Sequence, residues 1–313
     1  MAPTVFFIGL GNMGWGMSKN IIEKADIKGP LLVYNRSKDR SDAFAQEIAD
    51  ENKVAVVDSI AAGVAKADII WLMLSNDKVV ETVFDEILST DTSADAFKGK
   101  LFIQSATIHP DAAGPLAARV EGQGAQFLAA PVFGAPAMAN SGMLIVVASG
   151  KSEAIDRARV LFKGVTARDE ILLRDQPEAN SQLLKVIGNT FIFNMIEQLA
   201  EGHVLAEKSG LEPDALHKFV ELMFPGPYAA YSQRMLSGQY YTLDRPLFGV
   251  DLARKDIGYA LGLAQKQGIP LQNAQTVDAH LVQVKEHDGE TGDVAAIFGA
   301  VRQEAGLPYE NQK

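Results

Sequence analysis

Short apolar runs recur through the first half of the chain. VFFIG (5–9), LLVYN (31–35), VAVV (54–57), DIIWLML (68–74), KLFIQ (100–104), AQFLAA (125–130) and MLIVVAS (143–149) are rich in β-branched and aromatic side chains and are bounded by polar or glycine residues. That composition predicts strands. Between most of them lie stretches with helical spacing. The alternation predicts an α/β domain, a parallel sheet covered by helices on both faces. Beyond about residue 176 only helical patterns remain. Pro177 suits the first position of a helix, no proline interrupts residues 178–209, and Gly210 is placed to cap the end. Such a helix runs roughly 45 Å at about 1.5 Å per residue. Gly188 and Gly202 lie inside it, and its stretch FIFNMIEQLAEGHVLA is apolar on more than one face. It should therefore be sandwiched between helices or shared between subunits. Further helices are predicted over 212–223, 228–237, 251–267, 273–286 and 292–305. The chain of 313 residues exceeds what one core usually organises, and the pattern divides it into an α/β domain at 1–176 and an all-α domain at 177–313.

Charge and composition narrow the classes. Lysine and arginine total 29 against 39 acidic residues, a formal charge of −10. This argues against bulk binding of nucleic acid or an anionic membrane but leaves room for a small anion held by local cations. No cysteine is present, which excludes disulfides, thiol nucleophiles and zinc–thiolate sites. The five histidines (109, 203, 217, 280 and 287) show no metal-ligand spacing, and no metal is expected. The N-terminus lacks the features of a targeting segment. The most apolar long segment carries Lys185, Asn189, Asn194, Glu197 and Gln198, which rules it out as a membrane span. A soluble cytoplasmic protein is expected.

Residues 9–14 read GLGNMG. GxGxxG alone is a weak signal, but here it follows an N-terminal apolar strand and opens a helix. Gly9 permits the tight turn, Gly11 lets backbone approach a pyrophosphate, and Gly14 lets helix and strand pack closely. The helix N-terminus then offers free N–H groups to the phosphates. About twenty residues on, where a dinucleotide-binding unit meets the adenosine ribose, the chain reads NRSKDR. An acidic residue usually accepts the ribose hydroxyls of NAD at this place. Asn35 does not repel a phosphate, Arg36 can grip a 2′-phosphate in a forked contact, and Ser37 adds a hydroxyl donor. Lys38 and Arg40 add positive potential. The expected cofactor is NADP(H).

GLGNMGWGMSKNI, NRS, TIHP, APVFGAP and an Lys-x-x-x-Asn helix occur in this order. Together they resemble the β-hydroxyacid dehydrogenases, which include 3-hydroxyisobutyrate dehydrogenases and glyoxylate/succinic semialdehyde reductases. The resemblance covers essentially the whole chain. It implies a Rossmann-type domain, a long interdomain helix, an all-α C-terminal domain and a homodimer or homotetramer. It places Gly9, Gly11, Asn12, Met13 and Gly14 on the pyrophosphate, and Leu74, Ser75 and Thr107 beside the cofactor. It makes Lys185 the catalytic lysine and Asn189 its partner. Near the C-terminus it brings Lys255 to the cofactor, has Asp256 orient neighbouring groups, and sets Phe248 and Asp251 along the same cleft. Ala106, Phe133, Gly134 and Ala135 fall on the substrate segments. The departures are specific. Ser75 stands for Pro, Gln104 and Ala106 for Asp and Ser, Phe133 for Ser, Ala135 for Gly, Ala179 and Ser181 for glycines, and Gly188 for Asn. They imply a less polar substrate pocket than the common pattern.

Reducing a carbonyl with a nicotinamide needs a hydride from the ring and a proton for the developing alkoxide. An ammonium beside the carbonyl oxygen stabilises that charge and can transfer the proton. Lys185 suits this role, and Asn189, one helical turn on, shares its face. The resemblance implies NADPH-dependent reduction of a short aldehyde or keto acid, of the succinic semialdehyde or glyoxylate type, to the hydroxy acid, with a 3-hydroxyisobutyrate-type dehydrogenase as the near alternative. Imine reductases resemble the chain in the glycine motif and in Asn-Arg-Ser but typically lack the lysine. A non-catalytic NADP-binding scaffold would not need Lys185 and Asn189 in register. His109 reads as a turn residue, His203 and His217 as packing or surface residues, and Trp15 as either a nicotinamide wall or a helix-packing residue.

Overall fold

The seven apolar runs of the first half form strands β1 (Val5–Ile8), β2 (Leu31–Tyr34), β3 (Val54–Val56), β4 (Ile69–Leu72), β5 (Leu101–Gln104), β6 (Gln126–Ala129) and β8 (Leu144–Gly150), and two strands outside them, β7 (Val132–Phe133) and β9 (Ala167–Arg174), complete the sheet. The computed structural model describes residues 1–89 and 96–311. It divides the chain into two compact units, Met1–Lys185 and Val186–Lys313, the division falling inside one long helix.

Sheet order in the first unit is β3-β2-β1-β4-β5-β6-β8-β7, with β9 on the free side of β8. The first six strands are parallel. Between them run α1 (Asn12–Lys24), α2 (Lys38–Ile48), α3 (Ile60–Lys66), α4 (Asp77–Ser89) and α5 (Pro110–Glu121). Successive residues of a strand point to opposite faces, and the two faces hold separate cores. Phe7, Val33, Trp71, Ile103 and Leu128 join Met17 and Ile21 of α1 and Phe44 of α2. Phe6, Leu32, Ile70, Phe102 and Phe127 join Ile60 and Val64 of α3 and Val80, Phe84 and Ile87 of α4. The last three sit at helical spacing on one stripe of α4.

Beyond these parallel strands, the far edge of the sheet adds antiparallel pairing. β8 runs antiparallel to β6 and β7. A parallel return needs a crossover of about a dozen residues or more. The segment between β6 and β8 also makes β7, and its α6 (Pro136–Ser141) has 6 residues. Strand β9, parallel to β8, escapes the hydrophobic pattern because Arg168, Asp169 and Glu170 stand in its first half. Charge is normal on an edge strand, where it blocks pairing with another chain. A further helix, α7 (Ser152–Ala158), buries Ala154, Ile155 and Ala158.

Helix α8 (Ala179–Lys208) has 30 residues. It starts two residues after Pro177, and Gly210 ends it at φ +75°. The Leu211 and Gly210 N–H groups reach back to the Ala206 and Glu207 carbonyls, a left-handed helix stop that favours glycine. The second unit adds α9 (Pro213–Met223), α10 (Pro227–Leu236), α11 (Gln239–Thr242), α12 (Val250–Lys266), α13 (Gln272–Asp288) and α14 (Ile297–Glu304). The helix expected from 292 begins instead as a 3-10 turn at Val294–Ala296. Phe193, Ile196 and Ala200 of α8 pack with Ile257 of α12, Val277 and Leu281 of α13 and Phe298 of α14.

Candidate active site

Strand β1 lies between β2 and β4, and the chain builds outward from it in both directions. In such sheets a ligand binds beyond the carboxyl ends of the strands where the order reverses. GLGNMG leaves β1 at this point. Gly9 has φ +102°, and a Cβ there would stand 2.2 Å from the Met73 carbonyl oxygen. At Gly14 a Cβ would stand 1.9 Å from the Gly9 carbonyl oxygen, so α1 seats on the turn only without a side chain. Gly11 differs. Its φ is −68°, open to any residue, and a Cβ there would meet nothing within 4 Å. Nothing inside the unit demands glycine at 11, whereas a phosphate lying against the N-terminus of α1 would. Asn12 and Met13 form the first turn. The arrangement fits a dinucleotide pyrophosphate.

Asn35, at the end of β2, is structural: its Oδ1 accepts the Leu10 N–H at 3.0 Å and its amide donates to the Ser37 carbonyl at 3.2 Å. Arg40 is also committed. Its Nε donates to the Leu10 carbonyl and its guanidinium lies 5.2 Å from the Trp15 ring centroid. Both backbone groups of Leu10 are thus held from the β2 end. Trp15 packs edge-on against Phe44 at 5.0 Å. Lys38 pairs with Asp42 at 3.4 Å. Arg36 is exposed and engages no group among the described residues, and the Ser37 hydroxyl does not cap α2. A guanidinium, a hydroxyl and the N-terminus of α2 are thus left together just past β2.

Leu74 is half-buried and Ser75 exposed after β4. Beyond β5, Gln104 and Ala106 are buried. The side-chain amides of Gln104 and Gln182 both donate to the Ala106 carbonyl at 3.0 Å, and Gln182 Oε1 accepts the Ile108 N–H at 3.2 Å. Thr107, between these anchors, is half-buried. The His109 N–H donates to Asp77 at 2.7 Å, and its ring caps α5 by accepting from Asp111, the turn role expected of it. Ser181 is buried and hydrogen-bonds to Ser149 and to the Ala129 carbonyl. The first turn of α8 is thereby fastened to the ends of β5 and β6. Beyond β6, Phe133 is half-buried, and Gly134, at φ +138°, and Ala135 are exposed. The Lys185 ammonium lies 4.5 Å from the Phe133 ring centroid, a cation–π contact.

In the second unit, the amide of buried Asn189 donates to Asp256 Oδ2 at 2.8 Å, and the Lys255 ammonium lies 2.8 Å from Asp256 Oδ1. Asp256 thus joins α8 to α12. Lys255 also lies 5.0 Å from the Tyr259 ring centroid. Phe248 packs on Phe193 at 5.7 Å. Asp251 is exposed and pairs with Lys285 at 2.7 Å. Sequence reasoning missed Asp293. Almost fully buried, it accepts from Leu247, Phe248 and Ala295 N–H groups and from Arg234, shaping the turn that enters α12. Also missed was His280, held between Glu197 at 2.8 Å and Glu304 at 3.2 Å; these carboxylates hold its pKa up at about 9 despite burial. His203 is buried beside Ser232 at 2.8 Å, and burial pulls its pKa down to about 4. No helix among the described residues is long and apolar enough to cross a membrane.

Residues 4–174 match the family profile described as the NAD binding domain of 6-phosphogluconate dehydrogenase. Residues 179–301 match that described as the NAD-binding of NADP-dependent 3-hydroxyisobutyrate dehydrogenase. The NADH-dependent oxidoreductase ucdB of Aspergillus ustus is 35% identical over 95% of this chain and 98% of its own. Glyoxylate/succinic semialdehyde reductase 1 of Arabidopsis thaliana is 25% identical over 95% and 98%. The structure of Mycobacterium tuberculosis 3-hydroxyisobutyrate dehydrogenase with L-serine superposes with a TM-score of 0.77 at 25% identity, covering 96% of this chain and all of that one. The ordered motifs, the two-part fold and these matches agree: the chain belongs to the 3-hydroxyisobutyrate dehydrogenase family of β-hydroxyacid dehydrogenases, and it is an NAD(P)-dependent oxidoreductase.

Proposed function

We infer that the protein is a cytoplasmic, homo-oligomeric NADPH-dependent reductase that converts an aldehyde or ketone to the alcohol. The observation that carries this reading is Lys185. Its helix turn is fastened to the strand ends by Ser181 and Gln182, and its ammonium is held over a ring, so a proton donor has a defined position. NADPH, when bound, supplies the hydride. The protein's part is to hold the cofactor at Gly9–Gly14, orient the carbonyl, and deliver the proton from Lys185 Nζ to the oxygen as negative charge develops there. Asn189, one turn along α8, and its partner Asp256 serve as positioning residues. Lys255 is assigned to the cofactor.

Arg36 and Ser37 support NADPH over NADH, since both are uncommitted and one is a forked cation. The name of the Aspergillus relative points the other way, so the nucleotide needs a direct measurement. Kd and kcat/KM with each nucleotide should favour NADPH, and a preference for NADH would overturn the assignment. Glyoxylate and succinic semialdehyde, named for the Arabidopsis relative, are the acidic substrates to assay first. Oxidation of 3-hydroxyisobutyrate is the same chemistry run backwards. NADPH oxidation should occur with aldehydes, not with a cyclic imine and not without substrate. Turnover of the imine alone would replace this reading with an imine reductase, and binding without turnover of anything would leave a scaffold. The oligomer is supported by large apolar side chains left exposed on the second unit, Phe191 (73%), Leu205 (68%) and Leu222 (71%), more than a lone helical unit usually shows to water. Light scattering should give a mass at least twice that of one chain.

A further inference from the structure

We propose that Phe133 is a specificity-determining residue that turns the site toward an uncharged carbonyl substrate, with alkyl or aryl substituents, and away from a substrate carboxylate. This rests on the reductase reading and narrows it. The strand ends beside Lys185 are rich in polar groups, yet nearly all are satisfied within the unit. The Ser105 hydroxyl donates to the Ala130 carbonyl at 2.6 Å and accepts from the Trp71 indole at 2.7 Å. Ser149 and Ser181 bond to each other at 2.7 Å. The Gln104 and Gln182 amides close on the Ala106 carbonyl. Asp77 takes the N–H that opens α5. Thr107 is assigned to the cofactor. What the segment beyond β6 sets beside Lys185 is apolar: half-buried Phe133, followed by exposed Gly134 and Ala135.

The cation beside Phe133 is the proton donor itself. A carboxylate drawn to Lys185 would compete with the carbonyl oxygen for one ammonium. It would also approach the electron-rich face of the Phe133 ring, which attracts cations and repels anions. Burying a carboxylate there without a second donor is strongly unfavourable. A neutral substituent loses nothing by the same contact and gains apolar surface.

The test is kcat/KM with NADPH for succinic semialdehyde, butanal and phenylacetaldehyde, in the wild type, Phe133→Ser and Phe133→Leu. NADPH Kd and a thermal melt accompany each variant. The wild type should favour the neutral aldehydes by about tenfold or more. Phe133→Ser should move the ratio toward the semialdehyde by about tenfold or more, and Phe133→Leu should leave it within about threefold. A wild type that prefers the semialdehyde overturns the proposal, as does a Phe133→Ser variant that changes all three substrates alike. Should Phe133→Ser fail to fold, the wild-type ratio and the leucine variant still decide. If NADPH binds but no aldehyde is turned over, the reductase reading itself fails.

Discussion

The two units carry their functional residues by different physics. In the first unit the cradle proposed for the cofactor is backbone: a turn at φ +102°, a helix seated against a carbonyl, and a glycine at 11 with open space above it. In the second, Asn189, Asp256 and Lys255 form a side-chain cluster on the faces of two helices. A backbone site tolerates little change in shape, and its free N–H groups favour an anion without any charged side chain. A buried side-chain cluster tolerates small shifts but loses heavily when one charged partner is removed. The comparison teaches where each kind of substitution should act.

The largest contrast lies within the glycine turn. Gly14→Ala would place a methyl 1.9 Å from the Gly9 oxygen, so α1 must move. A loss of about 3 kcal/mol or more in stability is expected, together with loss of cofactor binding. Gly11→Ala has no such clash and should melt within about 0.5–1 kcal/mol of the wild type while its NADPH Kd rises at least tenfold. If both variants lose stability alike, the distinction between packing glycine and ligand glycine is wrong. Next comes Asp256→Ala, which removes the acceptor that Asn189 donates to and the carboxylate beside Lys255 and should cost about 3 kcal/mol; Asp256→Asn, which keeps an acceptor for Asn189, should cost less. A calorimetric melt separates them. Arg36→Ala should weaken NADPH by about ten- to a hundredfold, the equivalent of about 1.5–3 kcal/mol for a charged hydrogen bond, and leave NADH nearly unchanged. Equal losses would remove the 2′-phosphate argument. The smallest effect is pH-dependent. The carboxylates beside His280 raise its pKa from 6.5 to about 9. Folding therefore binds a proton, and the stabilisation is complete below about pH 6.5 and lost as pH rises through about 9. On the order of 2 kcal/mol should disappear over that window, and His280→Gln should flatten the Tm–pH curve there.

Much of the first unit was legible because its signals are local. Gly9, Gly11 and Gly14 stand within six residues, and strands β1 to β6 and β8 announce themselves by their own composition. The parallel register of β1 to β6 follows from the helices between them. The antiparallel return of β8 did not show, because the run 143–149 looks the same in either direction. Strand β9 was hidden by Arg168, Asp169 and Glu170. In the site, Arg40 read as general positive charge, but its contact with Leu10, thirty residues upstream, exists only in three dimensions. The same holds for Gln182 against Ala106 and for His280 against Glu197. Lys185 was found through a motif, whereas its contact with Phe133 depends on two segments about fifty residues apart that no local pattern links.

The central claim is that Lys185 delivers the proton to the reacting oxygen. Single-turnover oxidation of bound NADPH by an aldehyde, followed in the wild type and in Lys185→Ala at saturating cofactor, tests it most directly. The variant should bind NADPH within about threefold of the wild type and oxidise it about a hundredfold to ten-thousandfold more slowly. A variant that turns over at the wild-type rate, or one that loses NADPH binding together with turnover, would contradict it.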